Sequence, residues 1–115
     1  MKYLLMIYAS EAEENAMSPE EMGKLMQAYG PYTEALVKAG ALQAGERLRP
    51  IADATSVRVR NGKTEVLNGP YAETREQLGG YYQIDVSDLD AALAWAARCP
   101  SSSYGTIEVR PIWEM

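Results

Sequence analysis

Residues 2–9 read KYLLMIYA, and only the first of them is charged. A strand with one face in water shows a polar residue at every second position, whereas this run is apolar or aromatic throughout after Lys2. A short apolar run bounded by polar residues is typical of a strand that is covered on both faces. We therefore predict that residues 2–9 form the central strand of a sheet.

A long helix is predicted after an acidic segment, residues 10–17, which we interpret as a loop. Residues 18–21, SPEE, combine an N-capping serine, a proline at the first helical position and a glutamate that completes a capping box. Apolar residues then recur at three- and four-residue steps as far as Leu36. Because this stripe keeps its phase across Pro31, we predict one kinked helix that stops at Gly40, rather than two helices.

The rest of the chain predicts several strands and a second helix. The Asn61-Gly62 pair, between two segments of alternating polarity, predicts a β-hairpin. The predicted strands are residues 41–48, 56–60, 63–67, 81–86 and 106–112, and the predicted helix is residues 88–98. This order of elements predicts one α+β domain over residues 1–115, in which two helices cover one face of a mostly antiparallel sheet.

The other face of such a sheet is left without helices. Alternation along the strands places Tyr3 or Tyr8, and Tyr81 or Tyr82, on this open face. An aromatic face of that size is unusual on a monomer. We therefore predict a homodimer in which two sheets pack through their open faces, with a cavity between them or at their edge.

The composition excludes several classes of site. The chain has 115 residues, a net charge of −5, a single cysteine and no histidine. An acidic chain lacks the basic stripe of a nucleic-acid-binding surface. The single Cys99 excludes an internal disulfide and a cysteine-based zinc cluster, and no imidazole is present to shuttle protons or bind metal. We interpret the acidic residues at 11–14 as solvated, and we predict no metal site and no cofactor.

The N-terminal apolar run does not resemble a targeting or membrane-spanning segment. Residues 3–8 are too few for the core of a signal peptide or for a membrane span. Together with the free thiol of Cys99, this predicts a cytoplasmic protein that does not bind membranes.

Residues 68–77 gather an amide, a phenol, a hydroxyl, carboxylates and a guanidinium in one short segment. Loops held between rigid strands often carry binding residues. We take Asn68, Tyr71, Thr74 and Arg75 as candidate ligand-binding residues, and Glu73 as a candidate general base. The alternative is that Asn-Gly-Pro is only a tight turn and that the charged side chains are solvated.

Two residues outside this segment are also candidates for catalysis. Glu46 is an acidic residue in an apolar context, either a general base with a raised pKa or the partner of a neighbouring arginine. Tyr104 precedes the last strand and could orient a substrate or hold an oxyanion, although a reference pKa of about 10 makes tyrosine a poor base at neutral pH. The commoner role of such a tyrosine is that of a half-buried anchor.

Residues 68–82, NGPYAETREQLGGYY, resemble the signature of the DGPF-domain proteins in the wider YciI-related family. The opening strand and residues 44–46, 96–100 and 108–111 are similar to the same family, so the resemblance covers essentially the whole chain. It implies a ferredoxin-like α+β fold that dimerises through its sheets as a dimeric alpha-beta barrel. A His and an Asp recur in a cleft of YciI-related proteins, which implies enzymes, although no general reaction is established. DGPF proteins are often encoded beside extracytoplasmic-function sigma factors, which implies an accessory or regulatory role and a sigma-factor-linked partner.

The sequence departs from that family pattern at three positions. Asn68 stands where the motif has Asp, Tyr71 where it has Phe, and Tyr104 where many relatives carry His. A His–Asp pair therefore cannot operate in this chain. Three hypotheses remain open: a small-molecule-binding or regulatory dimer, a cofactor-independent enzyme that acts on a small polar or aromatic compound through Glu and Tyr, and a partner that binds only other proteins.

Overall fold

Helices cover one face of a four-stranded antiparallel sheet in the computed structural model, which describes residues 1–115. The strands are β1 (Lys2–Ala9), β2 (Leu42–Arg47), β3 (Thr55–Arg60), β4 (Lys63–Asn68), β5 (Gln77–Asp85) and β6 (Thr106–Pro111). The helices are α1 (Glu11–Ala16), α2 (Pro19–Lys38) and α3 (Leu89–Arg98), and short 3-10 turns span Ile51–Asp53 and Pro100–Ser103. None of the helices is long and apolar enough to cross a membrane.

The strand order of the main sheet is β2-β5-β1-β6, and every neighbouring pair is antiparallel. β1 lies between β5 and β6, as predicted for a central strand. α2 connects β1 to β2, and α3 connects β5 to β6. This βαββαβ arrangement confirms the predicted ferredoxin-like α+β fold.

Alternate residues of β1 form the floor of the core. Tyr3, Leu5 and Ile7 are buried beneath the helices, and full burial of a side chain such as Leu5 contributes about 1.5–3 kcal/mol. The other core residues come mainly from the helices and β5: Tyr32, Leu36, Ala41, Ile84, Ala92, Ala96 and Cys99.

The intervening residues of β1 lie on the open face. Leu4, Met6 and Tyr8 are half-buried there, and Tyr81 lies opposite Met6 in the register of β5. Tyr8 and Tyr81 are therefore the aromatic residues of the open face. The other two tyrosines, Tyr3 in the core and Tyr82 opposite Leu5 on β5, lie on the helix side.

The prediction of a loop over residues 10–17 was wrong, because this segment contains α1. Ser10 caps the helix by accepting a hydrogen bond from the Glu13 amide at 3.2 Å. The glutamates that suggested a solvated loop occupy the first turn, where negative charge stabilises the positive end of the helix dipole. The acidic composition that was interpreted as the mark of a solvated loop thus favours a helix start.

α2 follows the predicted pattern closely. The capping box is present, since Ser18 accepts from the Glu21 amide and the Glu21 side chain accepts from the Ser18 amide, each at 3.1 Å. The helix continues through Pro31 to Lys38, which confirms one helix rather than two. Pro31 lies on the exposed side, while Tyr32 and Leu36 of the same segment are buried.

β5 begins at Gln77, four residues before the predicted start, and includes both Gly79 and Gly80. Gly79 is the extra residue of a bulge, because Ile7 pairs with Gly80 and Tyr8 pairs with Leu78. At Gly80 a Cβ would lie 2.8 Å from the Glu46 carbonyl oxygen of β2. The glycines therefore permit close approach within the sheet and do not mark its boundary.

The predicted hairpin is present but forms a sheet of its own. β3 and β4 pair only with each other, and their turn contains Asn61 and Gly62 at φ values of 52° and 73°. Positive φ at both positions is the geometry of a type I′ turn. Local sequence predicted this pairing correctly, but it does not indicate that the hairpin leaves the main sheet.

Candidate ligand-binding cavity

A cavity of about 800 Å³ lies where α1 and α2 meet the β2–β5 side of the sheet. Its size is within the range of about 300–1,000 Å³ that is usual for small-molecule sites. The apolar and aromatic lining comprises Ile7, Ala9, Met22, Met26, Tyr29, Leu42, Leu48, Tyr81 and Tyr82. Polar side chains of the lining include Glu11, Glu14, Thr33, Glu46, Arg47, Arg49, Gln77 and Ser101.

Two parallel tyrosine rings form the aromatic part of the wall. The Tyr29 and Tyr82 ring centroids are 6.5 Å apart with an interplanar angle of 12°. The buried Tyr32 stands edge-on to both, at 82° to Tyr82 and 86° to Tyr29. Rings stacked directly face to face have their centroids about 3.5–4.0 Å apart. At 6.5 Å, Tyr29 and Tyr82 leave most of each other's faces uncovered.

Tyr82 is held in place from two sides. Its hydroxyl shares a hydrogen bond of 2.7 Å with the hydroxyl of Thr33 on α2. Its ring also lies against Gly45 of β2, where a Cβ would be only 2.9 Å from Tyr82 Cδ1. The absence of a side chain at Gly45 is therefore what allows the ring to lie across the neighbouring strand.

A row of hydroxyl groups runs from the aromatic wall to α1. The Tyr29 hydroxyl shares a 2.5 Å hydrogen bond with Ser101, whose Oγ is 3.4 Å from the Tyr104 hydroxyl. Tyr104 in turn donates to Glu14 Oε2 at 2.5 Å. This row joins α2, the 3-10 turn before β6 and α1 at one end of the cavity.

The phenols of Tyr29, Tyr82 and Tyr104 are held in their neutral form. Burial raises the pKa of Tyr29 and of Tyr82 above the usual value for tyrosine. Burial, followed by the hydrogen bond to Glu14, raises the pKa of Tyr104 to about 12. At neutral pH all three are protonated, so they can donate hydrogen bonds but cannot act as bases.

Several charged side chains of the lining already have partners. The Glu11 carboxylate accepts from the Ile51 amide at 3.0 Å, and Arg49 forms a salt bridge of 3.0 Å with Asp53. Glu46 and Arg47 form no salt bridge within the chain and are exposed. No three His, Cys, Asp or Glu side chains come together as metal ligands.

The structure separates the candidate residues that the sequence suggested. Glu46 lines the cavity, and Tyr104 reaches its edge through Ser101 and Glu14. The segment between β4 and β5 lies outside it, and Tyr71 is 84% exposed. The candidate residues that do not line the cavity are Asn68, at the end of β4, and Tyr71, Glu73, Thr74 and Arg75 of that segment.

The exposed segment instead makes local contacts. Thr74 donates a hydrogen bond to the Glu76 carbonyl, and Arg75 borders a small polar depression together with Ser10 and Glu13. Gln77 is the link to the cavity, since its side chain accepts from the Glu11 amide at 2.8 Å and donates to the Thr74 carbonyl at 2.6 Å.

Sequence reasoning missed the residues that build the cavity wall. Tyr29 belongs to the apolar stripe of α2 and was predicted to face the core, and Tyr82 was considered only for the open face of the sheet. A local signal existed for Tyr82, because the glycine at position 45 interrupts a predicted strand and such a glycine often marks a close approach. No comparable signal marks Glu14 or Ser101.

Comparison with known proteins identifies relatives along the full length of the chain. The family model described as YCII-related domain matches residues 1–115. An uncharacterized protein of Rhizobium meliloti (strain 1021) is 39% identical over 114 residues, which cover 97% of this chain and 92% of that protein.

Proposed function

This chain belongs to the YCII-related family, and from that premise we propose that it is a homodimeric protein that binds a small planar compound with an aromatic or conjugated ring. The observation that carries the proposal is the pair of parallel rings, Tyr29 and Tyr82, in the wall of a cavity of suitable size. Stacking on an aromatic face contributes about 0.5–1.5 kcal/mol beyond the burial of area, so this wall favours flat ligands over saturated ones.

The polar groups at the end of the cavity support binding through fixed hydrogen bonds. The protonated phenol of Tyr104 donates to the Glu14 carboxylate and lies 3.4 Å from the Ser101 hydroxyl. Such a group of donors and acceptors orients polar substituents of a ligand whose ring lies on the tyrosines. Because the phenols remain neutral at neutral pH, the wall is better suited to binding than to proton abstraction.

The open face of the sheet supports the homodimer. Leu4, Met6, Tyr8 and Tyr81 form a continuous apolar and aromatic area on the side that has no helices. Contact with the same face of a second chain would remove this area from water in one isologous interface. In this arrangement most of the cavity lining stays on the helix side, and Tyr81 and Glu46 are lining residues that also belong to the open face.

The ligand class can be tested by calorimetric titration and thermal-shift screening with pairs of flat aromatic compounds and saturated analogues of equal size. We expect the aromatic member of a pair to bind about two- to tenfold more tightly than the saturated member, a difference of about 0.5–1.4 kcal/mol. Tyr82→Leu should abolish this preference. Tyr71→Leu is the matched control, because Tyr71 is exposed outside the cavity. Equal binding of both members, or a preference that survives Tyr82→Leu, contradicts the proposed ligand class.

A cofactor-independent enzyme is the second candidate, and Glu46 is the observation that favours it. Glu46 lines the cavity where β2 forms the edge of the sheet, and it forms no salt bridge within the chain. It pairs with Tyr81, so its side chain lies on the open-face side of that edge and would take a proton only from a compound bound at the rim of the cavity. Glu73 and Tyr71 lie outside the cavity of the same chain and do not add to this candidate. Product analysis by mass spectrometry with compounds that bind is the test: turnover that Glu46→Gln removes without loss of binding would favour the enzyme.

A further inference from the structure

The β3–β4 hairpin carries an apolar face that contacts little else in the chain. Val57 lies opposite Val66 in the register, and Val59 lies two residues from Val57 on the same side. We call Val57, Val59 and Val66 the valine face. Their exposed fractions are 66%, 58% and 62%. The opposite side of the hairpin carries Leu67, which is 42% exposed, beside polar residues that include the Arg58–Glu65 salt bridge of 2.7 Å.

An isolated two-stranded hairpin of this kind is marginally stable in water. Its strands are six residues each, and their only extensive packing is against each other. The hydrogen bonds at its base, Gly69 amide to Ala54 carbonyl and Ser56 hydroxyl to Gly69 carbonyl, close the hairpin but add no layer to it. A valine face in this position therefore needs a surface to pack on.

The dimensions of the chain indicate how large that missing surface is. The accessible surface is 8073 Å², whereas a compact monomer of 12.7 kDa exposes about 6,200 Å². The radius of gyration is 16.1 Å, compared with about 13 Å for a compact domain of this length. The chain therefore exposes about 1,800 Å² more surface than a compact monomer. This excess matches the accessible surface that one partner buries in an obligate homodimer, where the two chains together bury about 2,000–5,000 Å².

Charge favours a second copy of this chain as the partner. Residues 55–68 contain Arg58, Arg60 and Lys63 against the single carboxylate of Glu65, a net charge of +2. Because the whole chain carries −5, the remainder carries −7. A basic hairpin is thus complementary to the acidic body of another copy.

We propose that the hairpin is an arm whose valine face packs on a second copy of this chain. In the dimer, the arm of each chain packs on the other chain. The inference rests on the homodimer of the proposed function, but it assigns an additional surface to it. Reciprocal exchange of arms is an isologous contact and closes the assembly at two chains. The arm is then stabilised by the partner, and its strands are ordered only in the dimer.

Analytical ultracentrifugation of charged variants tests the role of the valine face. We expect Val66→Asp and Val57→Asp each to raise the dimer dissociation constant at least about tenfold, because symmetry removes the buried valine twice. Val37→Asp is the matched control, since Val37 is 58% exposed on α2 and outside the hairpin. Unchanged dimerisation of both hairpin variants would overturn the proposed arm.

Hydrogen exchange of the wild-type chain at several concentrations tests the arm without any substitution. We expect the amides of β3 and β4 to be protected in the dimer and to lose protection on dilution, while the amides of β1 and β5 stay protected. Hairpin amides that exchange rapidly in a stable dimer would refute the arm alone and leave the sheet-face dimer standing. A chain that is monomeric at all concentrations would refute both, and a hairpin that is equally protected at every concentration would show that it packs on its own chain.

Discussion

Replacing Gly45 by alanine tests whether the aromatic wall depends on a missing side chain. The new Cβ would lie 2.9 Å from Tyr82 Cδ1 and 3.2 Å from Tyr82 Cε1. Ordinary carbon–carbon contacts are about 3.5–4.0 Å, so the ring must move by about 0.6 Å or more. Tyr82 cannot move freely, because its hydroxyl is hydrogen-bonded to the Thr33 hydroxyl at 2.7 Å and its ring stands edge-on to Tyr32.

The magnitude follows from these contacts. Overpacking of this kind costs about 1–3 kcal/mol. Loss of glycine flexibility in the unfolded chain offsets about 0.4–1 kcal/mol of that. We expect the free energy of unfolding to fall by about 1–2 kcal/mol, which in a domain of this size lowers the Tm by about 4–8 °C.

Urea denaturation followed by circular dichroism is the measurement. Gly79→Ala is the matched control, because a Cβ there would meet nothing closer than the Ile7 carbonyl oxygen at 3.9 Å. In a Tyr82→Ala background the Gly45→Ala substitution should cost much less, since the ring is gone and the remaining close contact is the Tyr81 carbonyl oxygen at 3.3 Å. If Gly45→Ala is as stable as Gly79→Ala, or if its full cost persists without the ring, the reasoning is refuted.

Three further predictions concern groups away from that contact. Because the pKa of Tyr104 is raised to about 12 in the folded chain, the unfolded chain loses this proton first, near pH 10, and stability should fall as the pH rises from about 10 to 12. Across that pH range the free energy of unfolding should fall less steeply with pH for Tyr104→Phe than for the wild type. An equally steep fall would contradict the assignment. Burial raises the pKa of the Cys99 thiol, which is 2% exposed, so a thiol reagent should label it only after unfolding; rapid labelling of the native chain would be contrary evidence. Ser18→Ala should lower the free energy of unfolding by about 1 kcal/mol through loss of the helix cap, with the exposed Ser87, substituted by alanine, as the control.

Local patterns in the sequence determined the elements and their order. The apolar run at residues 2–9 indicated a central strand, residues 18–21 indicated the start of α2, and Asn61-Gly62 indicated the hairpin turn. Each of these signals comes from residues that are adjacent in the chain, so neighbouring side chains and backbone angles decide them. The acidic segment at residues 10–17 was misinterpreted because the charges that solvate a loop also stabilise the first turn of a helix.

Contacts between distant segments decided the site and the shape of the molecule. The row from Tyr29 through Ser101 and Tyr104 to Glu14 joins residues up to 90 positions apart, and no local pattern predicts such a meeting. The same is true of the Tyr82 ring over Gly45 and of the hairpin that stands apart from the sheet. Local preferences set which strands and helices form, whereas the packing of their faces sets which side chains share a cavity. For this reason the chain by itself determined the α+β layout, and only the tertiary structure decided where a ligand could bind.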